Sequence, residues 1–148
     1  MKLKNILNKD LVKIDLKGNN KSEIINELLD LLVENGKLKD KELAFKDIMY
    51  REQQMSTGIQ QGIAIPHSKT KSVDNLVACI GVKKEGVDFS SLDGVPSNIF
   101  ILTLSPSDHI GPHVQFLAEI SRIIKTEESR IKILNARSKN QVLSVFGI

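Results

Sequence analysis

The sequence contains three histidines, whose side chains can act as nucleophiles or as metal ligands near neutral pH. Of these, His67 follows Pro66 in a segment that also contains Gly62. Proline fixes its own φ and restricts the residue before it to extended conformations, while glycine permits a sharp bend. The sequence therefore predicts a stiffly presented imidazole, whose neutral ring nitrogen is a good nucleophile. The ordinary alternative is a surface histidine that follows a turn.

The other two histidines, His109 and His113, have the i, i+4 spacing that can hold a metal ion on one helix face. Pro112 argues against that site, because proline is common in the first turn of a helix and His109 would then precede the helix. His113 would lie in the first turn, where free amides and the helix dipole favour an anion. The pattern thus favours a phosphate near His113 over a two-histidine metal clamp.

Arg51 is predicted near the end of a helix, directly before a glycine-containing segment at 58–62. Its guanidinium could bind a phosphoryl group through paired hydrogen bonds, and the alternative is an exposed cation at a helix end. The segment 58–62 lacks the lysine and hydroxyl pattern of a nucleotide P-loop, so neither ATP nor another cofactor is expected. Paired-cysteine zinc motifs and Gly-x-Ser-x-Gly elbows do not occur in the sequence.

Regular elements must position these side chains, and hydrophobic periodicity predicts them. Helices are predicted after caps at Asn20 and Asp40, ending near 35 and near 51–52, and three more are predicted at 112–125, 127–134 and 139–146. Strands are predicted at 11–16, 76–82 and 99–104, with turns at Gly86 and 93–94, an edge strand around 87–89, and short extended pieces over 55–69. This order predicts an α/β fold, a single-domain sandwich with a central mixed β-sheet flanked by helices.

Composition limits the remaining possibilities. The chain of 148 residues fits one domain, and no apolar run approaches the ~20 residues of a membrane span, so membrane insertion is not expected. A cytoplasmic location is predicted, because the amino terminus lacks a signal-peptide pattern and the single cysteine cannot form an internal disulfide. The net charge of +3 comes from interspersed charges, and Trp is absent, so nucleic-acid binding is not indicated.

Three motifs together resemble a known family. They are Arg-Glu at 51–52, Ser-Thr-Gly-Ile at 56–59, and Gly-Ile-Ala-Ile-Pro-His-Ser-Lys at 62–69. The combination resembles the type-2 enzyme IIA of the bacterial phosphotransferase system, which includes fructose, mannitol and nitrogen-regulatory members. The resemblance continues through 84–89, 92–94 and 113–120, and it implies one such domain over residues 1–148.

The resemblance implies a phosphoryl carrier that needs neither ATP nor a metal. His67 would accept a phosphoryl group, through Nε2, from a phosphohistidine of the small carrier HPr and pass it to a cysteine of enzyme IIB, which serves a membrane enzyme IIC. Arg51 and His113 would flank the phosphohistidine, and Ile59, Ile63 and Ile65 would supply an apolar rim for the partners. The alternative within the family is a nitrogen-type regulatory phosphoprotein, and the sugar is not encoded in this chain.

Overall fold

A computed structural model describes residues 2–108 and 110–148, which form a five-stranded mixed sheet with helices on both faces. The strands are β1 (Val12–Lys13), β2 (Ile63–Ala64), β3 (His67–Lys69), β4 (Val77–Val87) and β5 (Ser97–Ser105). The α-helices are α1 (Lys21–Glu34), α2 (Lys41–Gln54), α3 (Ile110–Ile124), α4 (Glu127–Leu134) and α5 (Lys139–Val145). Among the residues described, no helix is both long and apolar enough to cross a membrane. The predicted α/β class is confirmed.

The sheet is built around the antiparallel pair of β4 and β5. β1 adds in parallel to β4, while β2 and β3 add in parallel to successive parts of β5. Because neighbouring residues of a strand face opposite sides, β5 contributes to two apolar layers. Phe100, Leu102 and Leu104 pack with α1 and α2, whereas Ile99 and Ile101 pack with α3, α4 and α5. At the end of β5, where β3 pairs with it, the layer of α1 and α2 and the layer of α3, α4 and α5 therefore come close together.

The predicted caps start the first two helices. The side chain of Asn20 accepts a hydrogen bond from the Glu23 amide, 2.9 Å away, and a Glu23 carboxylate oxygen accepts one from the Asn19 amide at 2.8 Å. The Asp40 side chain accepts one from the Leu43 amide at 3.1 Å. These bonds satisfy amides that have no partner within the helix, which fixes where α1 and α2 begin.

The helix limits differ from the predicted ones in one place that matters for the site. α2 continues to Gln54, beyond the predicted end at 51–52, so Arg51 lies in its last turn and not at its end. In α3, Pro112 and His113 lie in the first turn as predicted. His109, which the metal alternative required, lies outside the described residues.

Two predicted strands have different limits in the structure. Only Val12–Lys13 of the predicted strand 11–16 is a strand, because a short 3₁₀ turn over Lys9–Leu11 precedes it. The predicted turn at Gly86 is wrong, since Gly86 lies inside β4 with a left-handed φ of +80°. A shift in register with β5 between Val82 and Val87 accommodates it, as a β-bulge does.

The connections around the sheet are partly as predicted. Segment 55–69 consists of the short strands β2 and β3 joined by turns, and Gly94 closes a turn in which its amide donates to the Ser91 carbonyl at 3.0 Å. The prediction of a separate edge strand around 87–89 is wrong. Val87 ends β4, and Phe89 is fully buried with its ring 5.4 Å from that of Phe100.

Candidate active site

His67 is the first residue of β3, and strand pairing fixes its backbone. It lies opposite Thr103 of β5, and the Pro66 carbonyl accepts a hydrogen bond from the Thr103 amide at 3.0 Å. Nδ1 of His67 lies 2.7 Å from the Ile65 carbonyl oxygen. Because a carbonyl can only accept, Nδ1 carries the hydrogen of this bond. In the neutral ring Nε2 therefore holds the free lone pair.

His113 supplies a second ring beside the first. The centroids of the two imidazoles are 5.5 Å apart, and the rings are tilted by 50°. His113 is only 7 % exposed, and its Nδ1 lies 2.8 Å from the hydroxyl oxygen of Ser105, the last residue of β5. The hydroxyl can donate or accept in this bond. When it donates to Nδ1, the Nε2–H of His113 becomes available to a neighbouring acceptor.

The surroundings keep both rings neutral near pH 7. Burial lowers the pKa of His67, and the charge of Arg51 lowers it further, while the bond to the Ile65 carbonyl and the charge of Glu52 raise it. For His113, burial lowers the pKa to about 4, with smaller contributions from His67 and Lys69. A neutral imidazole retains its nucleophilic lone pair. The site therefore presents a free base at Nε2 of His67 at physiological pH.

A cavity of about 410 Å³ brings the predicted residues together. Arg51 reaches it from the last turn of α2, where its Nη1 donates to the Met55 carbonyl at 2.8 Å. A guanidinium has five N–H donors, so this bond leaves others for a ligand. The lining residues are Asp47, Tyr50, Arg51, Gln54, His67, Ser68, Lys69 and His113. Asp47 adds one carboxylate, but two neutral imidazoles with two cations around one open space are still suited to holding a phosphoryl group.

Residues that sequence reasoning did not single out complete the site. Ser105 orients His113, and exposed Lys69 lies opposite Ser105 in the β3–β5 pairing. No sequence signal marks Ser105, because its role depends on pairing between distant segments. Part of the predicted apolar rim is wrong: Ile63 and Ile65 are buried in the α3–α5 layer, and only Ile59 is exposed.

The structure also tests whether side chains that could bind a metal ion are grouped together. Across 2–108 and 110–148, no three or more His, Cys, Asp or Glu side chains are grouped so that they could hold a metal ion. Around His67 and His113, the charged side chains that line the cavity are the cations Arg51 and Lys69 and the carboxylate of Asp47.

Comparison with known proteins identifies the family. The family described as "Phosphoenolpyruvate-dependent sugar phosphotransferase system, EIIA 2" matches residues 5–147. The chain belongs to this family. The resemblance carried by the 51–52, 56–59 and 62–69 motifs is confirmed, and membership gives this enzyme IIA a role in phosphoryl transfer within that system.

Individual relatives are similar over almost the whole chain. A fructose-specific EIIABC component of Bacillus subtilis is 35 % identical over 99 % of this chain, which spans only 23 % of that longer protein. A fructose-specific EIIA component of Haloferax volcanii is 33 % identical, over 93 % of this chain and 90 % of its own length.

Two solved structures share the fold. The nitrogen regulatory protein IIA-Ntr of Neisseria meningitidis superposes with a TM-score of 0.84 at 24 % identity, covering 96 % of this chain and 97 % of its own. Enzyme IIAMTL in a complex with phosphorylated enzyme IIBMTL of Escherichia coli gives a TM-score of 0.82 at 19 % identity, covering 95 % and 96 %. The mixed sheet with helices on both faces is therefore the fold of known IIA proteins.

Proposed function

We propose that this enzyme IIA carries a phosphoryl group on Nε2 of His67. The group would come from a phosphohistidine of HPr and go to a cysteine of enzyme IIB, which serves a membrane enzyme IIC. The observation that carries the proposal is the bond from Nδ1 of His67 to the Ile65 carbonyl, which leaves Nε2 as the free base in the cavity. The IIA–IIB complex formed by a protein of the same fold supports IIB as the acceptor.

The first transfer is an in-line exchange between two nitrogens. As the P–N bond of the donor breaks, its electron pair stays with the donor ring, and the Nε2 lone pair of His67 forms the new N–P bond. Nδ1 keeps its hydrogen, so the phosphorylated ring is formally an imidazolium, which the Ile65 carbonyl stabilises. A thiolate of enzyme IIB then attacks phosphorus, and the N–P electron pair returns to Nε2. His67 ends neutral, ready for another cycle.

Arg51 and His113 would stabilise the charge that spreads over the phosphoryl oxygens. The guanidinium supplies donors in a fixed plane, which suits a flat PO₃ unit. The Ser105 hydroxyl would donate to Nδ1 of His113 and leave Nε2–H to donate to a phosphoryl oxygen. Because the pKa of His113 is held at about 4, this ring acts as a neutral donor and does not bind the phosphate as an ion pair. A neutral donor keeps the phosphoryl group transferable.

Sugar transport is favoured over a regulatory role. Two relatives that exceed 30 % identity are fructose-specific components, whereas the nitrogen regulatory proteins of Bradyrhizobium diazoefficiens and Pseudomonas aeruginosa are 27 % and 24 % identical. We therefore propose that the chain works, as one domain over 1–148, in a transport system of the fructose class. Its partners act in the cytoplasm, so it would work there as well.

Phosphorylation in a reconstituted system tests the assignment. The protein is incubated with phosphoenolpyruvate, enzyme I and HPr, and peptides are analysed by mass spectrometry under conditions that preserve acid-labile phosphate. We expect one phosphate on the peptide that contains His67, discharged when enzyme IIB is added. The His67→Gln variant should fold with an unchanged circular dichroism spectrum and take up no phosphate. Full labelling of that variant would refute the role of His67.

A further inference from the structure

Glu52 is a buried carboxylate that the proposed transfer does not use. It lies in the last turn of α2, beside Arg51 in the sequence, and is 5 % exposed. Its Oε1 accepts hydrogen bonds from Nζ of Lys21 and from the Thr57 amide, both at 2.9 Å, and its Oε2 accepts one from the Thr57 hydroxyl at 2.6 Å. One side chain thus joins α1, α2 and the loop that follows α2.

The hydrogen bonds continue from this loop to the nucleophile. The carbonyl of Thr57 accepts a hydrogen bond from the Ile65 amide at 3.0 Å, and the carbonyl of Ile65 accepts the one from Nδ1 of His67 at 2.7 Å. Glu52 is therefore separated from the His67 ring by only two residues, Thr57 and Ile65. Both are buried, which leaves little room for the segment to relax if one bond is lost.

We propose that Glu52 is a positioning residue, which holds Thr57 and Ile65 in place so that the His67 ring keeps its hydrogen on Nδ1 and its lone pair on Nε2. The inference rests on the proposed role of His67 as the phosphoryl acceptor. Without the Ile65 carbonyl in place, the neutral ring would exchange between its two tautomers, and only one of them is a nucleophile at Nε2.

The hydrogen bonds from Glu52 through Thr57 and Ile65 to His67 fix the position of the ring, but they do not carry the charge of Glu52 to it. The N–H and C=O groups of Thr57 belong to different peptide groups, and so do those of Ile65, so no single amide links Glu52 to His67. The negative charge of Glu52 acts on His67 through space, where it opposes the effect of Arg51. The effect of the hydrogen-bonded geometry and the effect of the charge of Glu52 can therefore be separated by a variant that keeps the geometry and removes the charge.

Glu52→Gln is such a variant, and Glu52→Ala removes both contributions. The Oε1 of glutamine can still accept from Lys21 and from the Thr57 amide, while the Thr57 hydroxyl can reverse and accept from the new NH₂ group. Thr57→Val removes only the hydroxyl bond and provides a third, milder perturbation. It keeps the test decisive if Glu52→Ala does not fold.

Glu27 provides a matched control. It is also a carboxylate that joins a helix to a loop, since it pairs with Nζ of Lys13 at 2.9 Å and accepts hydrogen bonds from the Lys17 and Gly18 amides. It lines a different cleft, which contains Lys139 and none of the residues around His67. Glu27→Ala should therefore weaken the fold in a similar way to Glu52→Ala without touching the nucleophile.

The experiment measures the tautomer of His67 and the transfer rate in the same proteins. ¹⁵N chemical shifts of histidine-labelled, unphosphorylated protein report which ring nitrogen carries the hydrogen, at a pH where the ring is neutral. We expect Nδ1–H in the parent, in Glu52→Gln and in Glu27→Ala, and a mixture of the two tautomers in Glu52→Ala and Thr57→Val. Transfer from phosphorylated HPr should fall by ~10²-fold in Glu52→Ala, which is the cost of a small misplacement of the ring, and stay unchanged in Glu27→Ala.

Two results would overturn the proposal. One is a pure Nδ1–H tautomer in both Glu52→Ala and Thr57→Val, and the other is the same mixture of tautomers in Glu27→Ala as in Glu52→Ala. Failure of the proposed function gives a different result. In that case the parent protein gains no phosphate on His67, while the tautomer measurement still decides whether Glu52 positions the ring.

Discussion

Replacing His113 with asparagine should make the stability of the protein less sensitive to acid. His113 is buried as a neutral ring, and its pKa is held at about 4, below the ordinary 6.5. Protonation of this ring therefore opposes folding. Asparagine does not titrate, and its amide can replace the bond from Nδ1 of His113 to the hydroxyl of Ser105.

The magnitude follows from the two pKa values. As pH falls below 6.5 the unfolded chain binds a proton at this ring, whereas the folded protein binds it only near pH 4. Between those values the unfolded state holds more protons, so the free energy of unfolding decreases with falling pH. The loss is ~1.4 kcal/mol per pH unit and ~3 kcal/mol in total. Above pH 6.5 His113 has no effect, and below about 4 its effect is constant.

Urea unfolding at several pH values between ~7.5 and ~4.5 measures this difference. His67, whose pKa is also lowered, contributes to the slope in both proteins, so the difference between parent and His113→Asn isolates His113. We expect the parent to lose stability faster below pH 6.5, and the two curves to converge or cross as the pH falls. Parallel curves over the whole range would refute the conclusion that His113 is buried in its neutral form.

Two further substitutions test other parts of the site. Arg51→Ala should slow transfer from phosphorylated HPr by ~10- to 100-fold in rapid-quench measurements, because it removes a charge-assisted hydrogen bond worth ~1.5–3 kcal/mol. An unchanged rate would exclude Arg51 from the transfer. Gly62→Ala should lower the free energy of unfolding by ~1–2 kcal/mol more than Gly94→Ala. Both glycines have a positive φ, but only at Gly62 would a Cβ meet another atom, Oδ1 of Asn98 at 2.6 Å. Equal losses of the free energy of unfolding in Gly62→Ala and Gly94→Ala would contradict the expected clash with Asn98.

The helices could be predicted because their signals are local. Asn20 and Asp40 mark helix starts through bonds to amides three residues later, and these bonds are present in the structure. Strand limits depend on a partner that the sequence does not reveal. Gly86 predicts a turn when read alone, yet β5 lies alongside and the chain continues as a bulged strand. Pairing between distant segments overrides the local preference.

The same distinction explains which site residues could be found. His67 was identified by its proline and glycine neighbours, and His113 and Arg51 by helix position and by the family motif. Ser105 has no sequence signal, and Glu52 belongs to the 51–52 motif without any indicated role, because a serine at a strand end and a glutamate in a helix are ordinary in sequence. Their importance arises only when folding places Ser105 against His113 and buries Glu52 against Thr57.

β3, which carries the nucleophile, is a short strand at the edge of the sheet. It has three residues and pairs only with β5 among the described strands. An open sheet edge can recruit a strand from another molecule and so begin aggregation, and short length, proline and lysine are common protections against it. Pro66 directly before β3 and Lys69 at its end supply two of them. Pro66 and Lys69, which also contribute to the stiffness and the positive charge around His67, thus protect this sheet edge from pairing with a strand of another molecule.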